Sequence, residues 1–153
     1  PLDPIATVIV LEVKGKPDIE KILPSQSADG SVALPADLAD IHGQAQVETI
    51  DGKPNIGWWT NPKDYVCWSF RVTKGGRFDV MMAFASPADS KFEITAGDQT
   101  LAAEVVSTGS YQRFNTVKLG AIELKPGVVE LAVKPREGWQ AINLRFLVLK
   151  PAD

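Results

Sequence analysis

The sequence predicts an all-β protein built as an antiparallel β-sandwich. Three observations predict it: about seven or eight short segments rich in β-branched and aromatic residues, a spacing of roughly ten residues between them, and Gly, Pro or Asp at their boundaries. No segment shows the apolar period of a helix. The 153 residues, 44% of them hydrophobic and 23% charged, are enough for one domain with a sizeable core.

The charge balance and the length of the apolar runs argue against two classes of partner. A net charge of -3 offers no field to attract a phosphate backbone, so no nucleic-acid partner is predicted. The longest apolar run, within residues 5–11, is too short to span a bilayer, and no signal-peptide pattern precedes it, so no membrane partner is predicted. The chain starts at Pro1 and not at Met, which suggests a piece of a longer protein.

The first forty residues differ in character from the rest. Residues 5–13 (IATVIVLEV) form a nearly continuous apolar run, typical of a strand that is covered on both faces. Residues 17–39 combine three prolines and one glycine with many polar residues and show no sustained period, and this composition predicts a linker. The turn residues Asp29 and Gly30 inside it predict one short strand over residues 31–34.

Regular alternation of apolar and polar residues begins near residue 47. The segments 65–72 and 77–85 carry an apolar residue at every second position, as half-buried strands do. Because Lys74-Gly75-Gly76 separates them, the two segments are predicted to pair as a β-hairpin. Their inward residues are predicted to be Val66, Trp68, Phe70, Val72, Phe78, Val80, Met82 and Phe84.

Five further strands are predicted over residues 91–97, 99–106, 113–124, 128–135 and 141–149, each closed by turn residues. Alternation in the last two predicts that Val129, Leu131, Val133, Ile142, Leu144, Phe146 and Val148 face inward. The aromatic residues assigned to the core are Trp68, Phe70, Phe78, Phe84, Phe92 and Phe146.

Catalytic motifs are missing from the sequence. It contains no G-x-S-x-G, no glycine-rich phosphate loop and no H-E-x-x-H, and its carboxylates mostly fall at turns or outward strand positions. Cys67 is the single cysteine and is predicted to pack as a small hydrophobic residue, because no sequence pattern links it to His42, the single histidine. No catalytic residue is therefore predicted.

A set of ordered motifs over about residues 40–150 resembles the galactose-binding-like jelly-roll sandwich of family 6 and family 35 carbohydrate-binding modules. The motifs are Gly57-Trp58 with Asp64-Tyr65-Val66, Gly76-Arg77-Phe78-Asp79-Val80, Ser110-Tyr111-Gln112, Pro126-Gly127 and Asn143-Leu144.

Residues 1–39 extend this resemblance. PLDPIATVIVLEVKGKP followed by DGSVALPADLADIHG is similar to the C-terminal region of some bacterial α-L-fucosidases of glycoside hydrolase family 29, and to similar domains on some sulfatases. The resemblance implies that residues 1–16 are the last strand of an upstream domain, 17–39 a linker, and 40–153 the galactose-binding-like sandwich. It also implies a non-catalytic accessory domain of an extracellular or periplasmic α-L-fucosidase.

The same resemblance implies a carbohydrate site at the loop edge of the sandwich. Sugars stack an apolar face on an aromatic ring while their hydroxyl groups bond to fixed polar groups. Carried over by position, the binding residues are Trp58 or Trp59, Tyr111 and Asn143. If the backbone is extended, the adjacent tryptophans point to opposite faces, so one can be exposed while the other is buried. Further candidates in the nearby loops are Trp139, Gln112, Arg136 and Gln140.

Two alternatives stay open at this point. The exposed aromatic residues, Trp139 above all, could instead dock on the upstream domain, in which case they should face the first strand and the linker. No cofactor is predicted; related modules often hold a structural calcium ion, and the sequence leaves this open because residues 40–43 offer only the carboxylate of Asp40. His42 is predicted to be a turn or interface residue.

Overall fold

The computed structural model describes residues 23–152, which form eleven strands and one turn of 3-10 helix, Ala36–Leu38. The apolar strand predicted over residues 5–13 lies outside the described residues. The strands are β1 Val32–Pro35, β2 Asp40–His42, β3 Gln46–Ile50, β4 Lys53–Gly57, β5 Tyr65–Val72, β6 Gly76–Ala85, β7 Ser90–Ala96, β8 Gln99–Val105, β9 Asn115–Leu124, β10 Gly127–Pro135 and β11 Asn143–Pro151.

The strands form two sheets that pack face to face, which confirms the predicted antiparallel β-sandwich. One sheet has the order β3-β4-β11-β6-β9, with β1 also paired to β11, and the other has the order β2-β5-β10-β7-β8. Apolar residues of both inner faces share one core, as alternation along each strand requires. The largest fully buried side chains of this core are Trp59, Trp68, Phe70, Phe78, Phe84, Phe92, Leu34, Ile56, Met82, Ile94, Leu131 and Ile142.

The predicted pairing of the segments 65–72 and 77–85 is wrong. These segments are β5 and β6, and they belong to different sheets: β5 pairs with β2 and β10, whereas β6 pairs with β11 and β9. All eight residues predicted to face inward are nevertheless buried. Alternation predicts only that one face of a strand is buried. Two strands can bury their apolar faces as neighbours in one sheet or as members of opposite sheets, so alternation does not show which strands pair.

The prediction of which residues of the last strand face inward is correct only before Arg145. The pairing of β11 with β6 shifts between Leu144 and Phe146, so Arg145 is an extra residue in a β-bulge. After the bulge the two faces exchange: Leu147 and Leu149 are fully buried, whereas Phe146 and Val148 are only half-buried. Phe146 is therefore not a core aromatic residue, while the other five aromatic residues predicted for the core are buried.

The segment predicted to be a linker supplies part of the sandwich. Within residues 17–39, β1 forms where a short strand was predicted and pairs with Phe146 to Leu149 of β11. Val32, Leu34 and Ala36 are fully buried and belong to the core cluster. The described sandwich therefore starts before residue 40.

The two ends of the sandwich differ. The end that we call the loop end carries the connections 58–64, 106–114 and 136–142, each of which takes the chain from one sheet to the other. The end that we call the turn end carries the turn 73–75 and the C-terminal end of β11. The first described residues lie at the turn end, where Gln26 binds the backbone of Thr73 and Lys74. None of the residues 23–152 belongs to a helix long and apolar enough to cross a membrane.

Candidate functional site

An open cleft of about 420 Å³ lies at the loop end. It is formed by β3, the loop between β4 and β5, the loop between β8 and β9, and the start of β11. The predicted residues Trp58, Trp59, Tyr111 and Asn143 all line this cleft. The full set of lining residues is Glu48, Ile50, Trp58, Trp59, Thr60, Tyr111, Gln112, Ala141, Ile142 and Asn143.

Trp58 is the most exposed aromatic ring of the cleft, with 68% of its surface accessible. Its backbone has a φ of 56°, a left-handed conformation that bulky residues rarely adopt. Two contacts hold it: Trp58 Nε1 donates a hydrogen bond to Glu48 Oε2 at 2.9 Å, and Trp58 O accepts one from Thr60 N at 3.0 Å. Strained residues of this kind persist where the surroundings fix them, often at ligand sites.

Trp59 points the other way and is fully buried. Its Nε1 donates to Asp64 O at 3.1 Å, and its ring packs against Trp139 with 4.8 Å between ring centroids. The predicted division into one exposed and one buried tryptophan is present, although it arises from the left-handed backbone of Trp58 and not from an extended strand. Trp59 therefore forms the floor of the cleft and part of the core at once.

Tyr111 and Asn143 are joined by a hydrogen bond. Asn143 Nδ2 donates to Tyr111 O at 2.9 Å, which fixes the loop between β8 and β9 against the start of β11. Tyr111 stays 39% exposed, whereas Asn143 is only 5% exposed. Asn143 thus both anchors the loop and presents its side-chain oxygen, Oδ1, at the cleft.

Glu48 is a cleft residue that the sequence analysis missed. Its Oε1 accepts a hydrogen bond from Asn55 Nδ2 at 3.1 Å, and its Oε2 accepts the bond from Trp58. A methyl group built on Gly57 would collide with the Glu48 carboxylate, so the glycine leaves the space that this carboxylate occupies. A half-buried glutamate in a short edge strand has no distinguishing signal in the sequence, and only the pairing of β3 with β4 places it beside Trp58.

Trp139 does not line the cleft. It is half-buried and packs on Trp59 and on Phe92, with 6.3 Å between the ring centroids of the latter pair. Gln112 lines the cleft, whereas Arg136 points toward Glu93, with 3.9 Å between Nε and Oε2. Gln140 also lies outside the lining, so of the four additional loop candidates the structure brings only Gln112 to the site.

Cys67 and His42, which no sequence pattern links, are in contact: Cys67 Sγ lies 3.5 Å from His42 Nε2. The register of β2 with β5 brings them together, and the His42 ring stacks on Tyr65 at 4.2 Å. Cys67 is 3% exposed, which confirms its predicted burial.

Asp40 is the one carboxylate that residues 40–43 offer toward a calcium ion. Asp40 lies in β2 directly opposite Cys67, and calcium takes six to eight oxygen ligands. Among residues 23–152, no three His, Cys, Asp or Glu side chains are grouped so that they could hold a metal ion.

Comparison with known proteins gives matches at the level of structure alone. No family model matches the chain, and no curated protein matches it. A family 6 carbohydrate-binding module has a TM-score of 0.71 at 16% identity, covering 86% of this chain and 99% of that one. A family 35 carbohydrate-binding module from Clostridium thermocellum has a TM-score of 0.69 at 19% identity, covering 80% of this chain and 98% of that one.

The same fold also occurs within larger chains. The Podospora anserina GH26-CBM35 β-(1,4)-mannanase matches with a TM-score of 0.67 at 18% identity over 82% of this chain, which spans 28% of the mannanase. These similarities show that the chain has the fold of carbohydrate-binding modules of families 6 and 35.

Proposed function

We propose that the cleft binds carbohydrate, with the sugar stacked on the Trp58 ring beside Tyr111 and with its hydroxyl groups bonded to Asn143. The exposure of Trp58 carries the proposal. A large ring is held in solvent by a strained backbone and a hydrogen bond to Glu48, beside a second exposed ring and a fixed amide. An apolar ring next to fixed polar groups is the combination that a sugar requires.

The rival role is docking of the exposed aromatic residues on another domain. Such a role would place these rings against the first strand, which lies outside the described residues, and against the linker. Trp58 and Tyr111 instead lie at the loop end, whereas Gln26 and its contacts lie at the turn end. In the sequence analysis, Trp139 is the first candidate for docking. Its ring packs on Trp59 and Phe92. The packing of Trp139 on these two rings favours sugar binding over docking.

At the level of the whole protein, we propose a non-catalytic accessory domain that targets an extracellular or periplasmic α-L-fucosidase to glycans. The ordered motifs quoted above support this proposal, as does the occurrence of the fold within a larger mannanase chain. The alternative parent is a sulfatase with a similar C-terminal domain. The sequence upstream of Pro1 distinguishes them, because a fucosidase barrel carries the catalytic carboxylates of a glycosidase.

The experiment is a glycan array that includes fucose-containing and galactose-containing glycans, followed by titration of the best ligand. Trp58→Ala and Tyr111→Ala are expected to weaken binding. Loss of about 60–80 Å² of ring contact at about 25 cal/mol/Å² corresponds to roughly tenfold or more in affinity.

Val128→Ala is the matched control, since Val128 is an exposed apolar residue at the turn end. It should bind as the unaltered protein does. Failure of the folded protein to bind any glycan of a broad array would refute the proposal, and equal binding by Trp58→Ala would refute the assignment of the site.

A further inference from the structure

Two polar side chains near Trp58, Glu48 and Asn143, have free capacity to accept hydrogen bonds. Each oxygen of Glu48 receives one donor, from Asn55 or from Trp58, and each retains a further lone pair. Asn143 uses its amide nitrogen to bind Tyr111 O, which leaves the side-chain oxygen of Asn143 for a ligand. The free accepting capacity at this point of the cleft therefore belongs to a carboxylate and an amide oxygen.

These two acceptors converge. A methyl group built on Gly57 would collide with the Glu48 carboxylate and would lie 2.9 Å from Asn143 Oδ1, so both groups approach the same small space above Gly57. Gly57 directly precedes Trp58, which places this space at the base of the exposed ring. A ligand stacked on Trp58 would meet both acceptors with adjacent groups, and those groups must be donors. Two neighbouring hydroxyl groups satisfy this requirement.

The charge of the cleft points in the same direction. Among its lining residues, Glu48 is the only Asp, Glu, Lys or Arg. Two arginines lie next to lining residues without being part of the lining, Arg145 and Arg113. Arg145 stacks on Phe114 at 3.6 Å and donates to Ile50 O at 3.3 Å, and Arg113 is exposed beside Gly109. A carboxylate on the ligand would therefore face Glu48 without a lining cation to compensate it.

Resting on the proposed function, we infer that the cleft selects uncharged sugar units with two neighbouring hydroxyl groups and excludes uronic acids. Glu48 is the residue that determines this specificity. At a separation of about 6 Å and an effective dielectric constant of about 40, repulsion between two carboxylates corresponds to roughly a tenfold loss of affinity. A neutral sugar instead donates to the same carboxylate.

The test compares matched neutral and acidic ligands. The pairs are methyl galactopyranoside with methyl galactopyranosiduronate and methyl glucopyranoside with methyl glucopyranosiduronate, together with array glycans that differ only by a uronic acid at one position. Binding is followed through the indole N–H signal of Trp58, which reports on the cleft directly. The proteins are the unaltered chain, Glu48→Gln, and Glu104→Gln as a control that removes the same charge from an exposed residue of β8 outside the cleft.

The unaltered protein is expected to prefer the neutral member of each bound pair by about tenfold. Glu48→Gln should lower the ratio of neutral-ligand affinity to acidic-ligand affinity at least threefold, whereas Glu104→Gln should leave this ratio unchanged. Raising the salt concentration should improve binding of the acidic member to the unaltered protein, because screening weakens the repulsion, and should not alter binding of the neutral member. This salt test also decides the question if Glu48→Gln does not fold.

Two results separate the inference from the proposed function. If the protein binds uronic acids as tightly as neutral sugars, or if Glu48→Gln keeps the ratio of the unaltered protein, the specificity inference is wrong and carbohydrate binding stands. If the folded protein binds no glycan of the array, the proposed function fails and the inference fails with it.

Discussion

Trp58 combines two properties that usually exclude each other, a bulky side chain and a left-handed backbone with a φ of 56°. The conformation costs a residue with a Cβ atom roughly 1–2 kcal/mol relative to glycine. The residue that suits this backbone best is therefore glycine, and the Trp58 side chain, with 68% of its surface accessible, buries little area to offset the cost.

Trp58→Gly is accordingly expected to leave the free energy of unfolding unchanged or to raise it by up to about 1 kcal/mol, while glycan binding is lost. Chemical denaturation and glycan titration measure the two effects. Trp59→Ala is the contrasting variant, since Trp59 is fully buried and its truncation should cost about 3–5 kcal/mol. A large loss of stability in Trp58→Gly would show that the ring supports the fold.

Asp29 offers a second prediction at the scale of single residues. Hydrogen bonds from the Ser31 hydroxyl at 2.7 Å and from the Ser31 backbone N–H at 2.9 Å lower the pKa of the Asp29 carboxyl. A carboxyl whose pKa is lowered on folding stabilises the folded state above its unfolded pKa, and this contribution is lost as the pH falls through the folded pKa.

Ser31→Ala should therefore raise the pKa of Asp29 toward its ordinary value, with the backbone N–H retaining part of the effect. An NMR titration of the Asp29 carboxyl measures it. Ser31→Thr, which keeps the hydroxyl group, should retain the lowered pKa; the same value in all three proteins would show that the side-chain hydrogen bond has no influence.

Among the cleft residues, the sequence allowed Trp58, Tyr111 and Asn143 to be predicted, but not Glu48, the polar partner of Trp58. Trp58 and Tyr111 belong to short motifs that can be aligned with known modules. Glu48 is one of many glutamates, and its role depends on the register of β3 with β4 and on the absence of a side chain at Gly57.

At the scale of elements, β11 shows how one extra residue changes what a pattern means. Residues 146–149 are all apolar, so composition cannot show where the alternation shifts. The bulge at Arg145 exchanges the two faces and makes Leu147 and Leu149 the core residues.

The variants Leu147→Ala and Phe146→Ala test this exchange. Leu147→Ala is expected to cost about 2–5 kcal/mol of unfolding free energy, as a fully buried leucine does, and Phe146→Ala clearly less, although phenylalanine is the larger residue. Denaturant midpoints at constant slope compare the two. The reverse order would mean that strict alternation continues through β11.

At the scale of the whole molecule, the boundary between linker and sandwich decides which fragments fold. Composition predicted a linker over residues 17–39, because Pro, Gly and polar residues dominate it. The short strand inside that segment contributes Val32 and Leu34 to the core. The composition of the segment does not indicate this contribution, whereas the strand predicted over residues 31–34 does.

Two truncations test the organisation of the chain. Removal of residues 1–16, which we propose to be the last strand of an upstream domain, is expected to leave the unfolding midpoint of the sandwich unchanged. Removal of residues 1–39 should lower the unfolding free energy by several kcal/mol, because it strips β1 and Ala36 from the core. Thermal or denaturant unfolding of both fragments measures the difference, and equal stability of the two would show that β1 is dispensable.

The loops that line the cleft connect one sheet to the other, so their residues can change without a change in strand pairing. Apart from Trp59, the residues of the connections 58–64 and 106–114 that line the cleft lie outside the strand ladders and outside the core cluster. Replacement of these residues would alter the ligand surface and leave the strand pairing of both sheets in place. Under the proposed function, loop exchange would therefore change the surface on which the sugar stacks, while the acceptors Glu48 in β3 and Asn143 in β11 would stay in place.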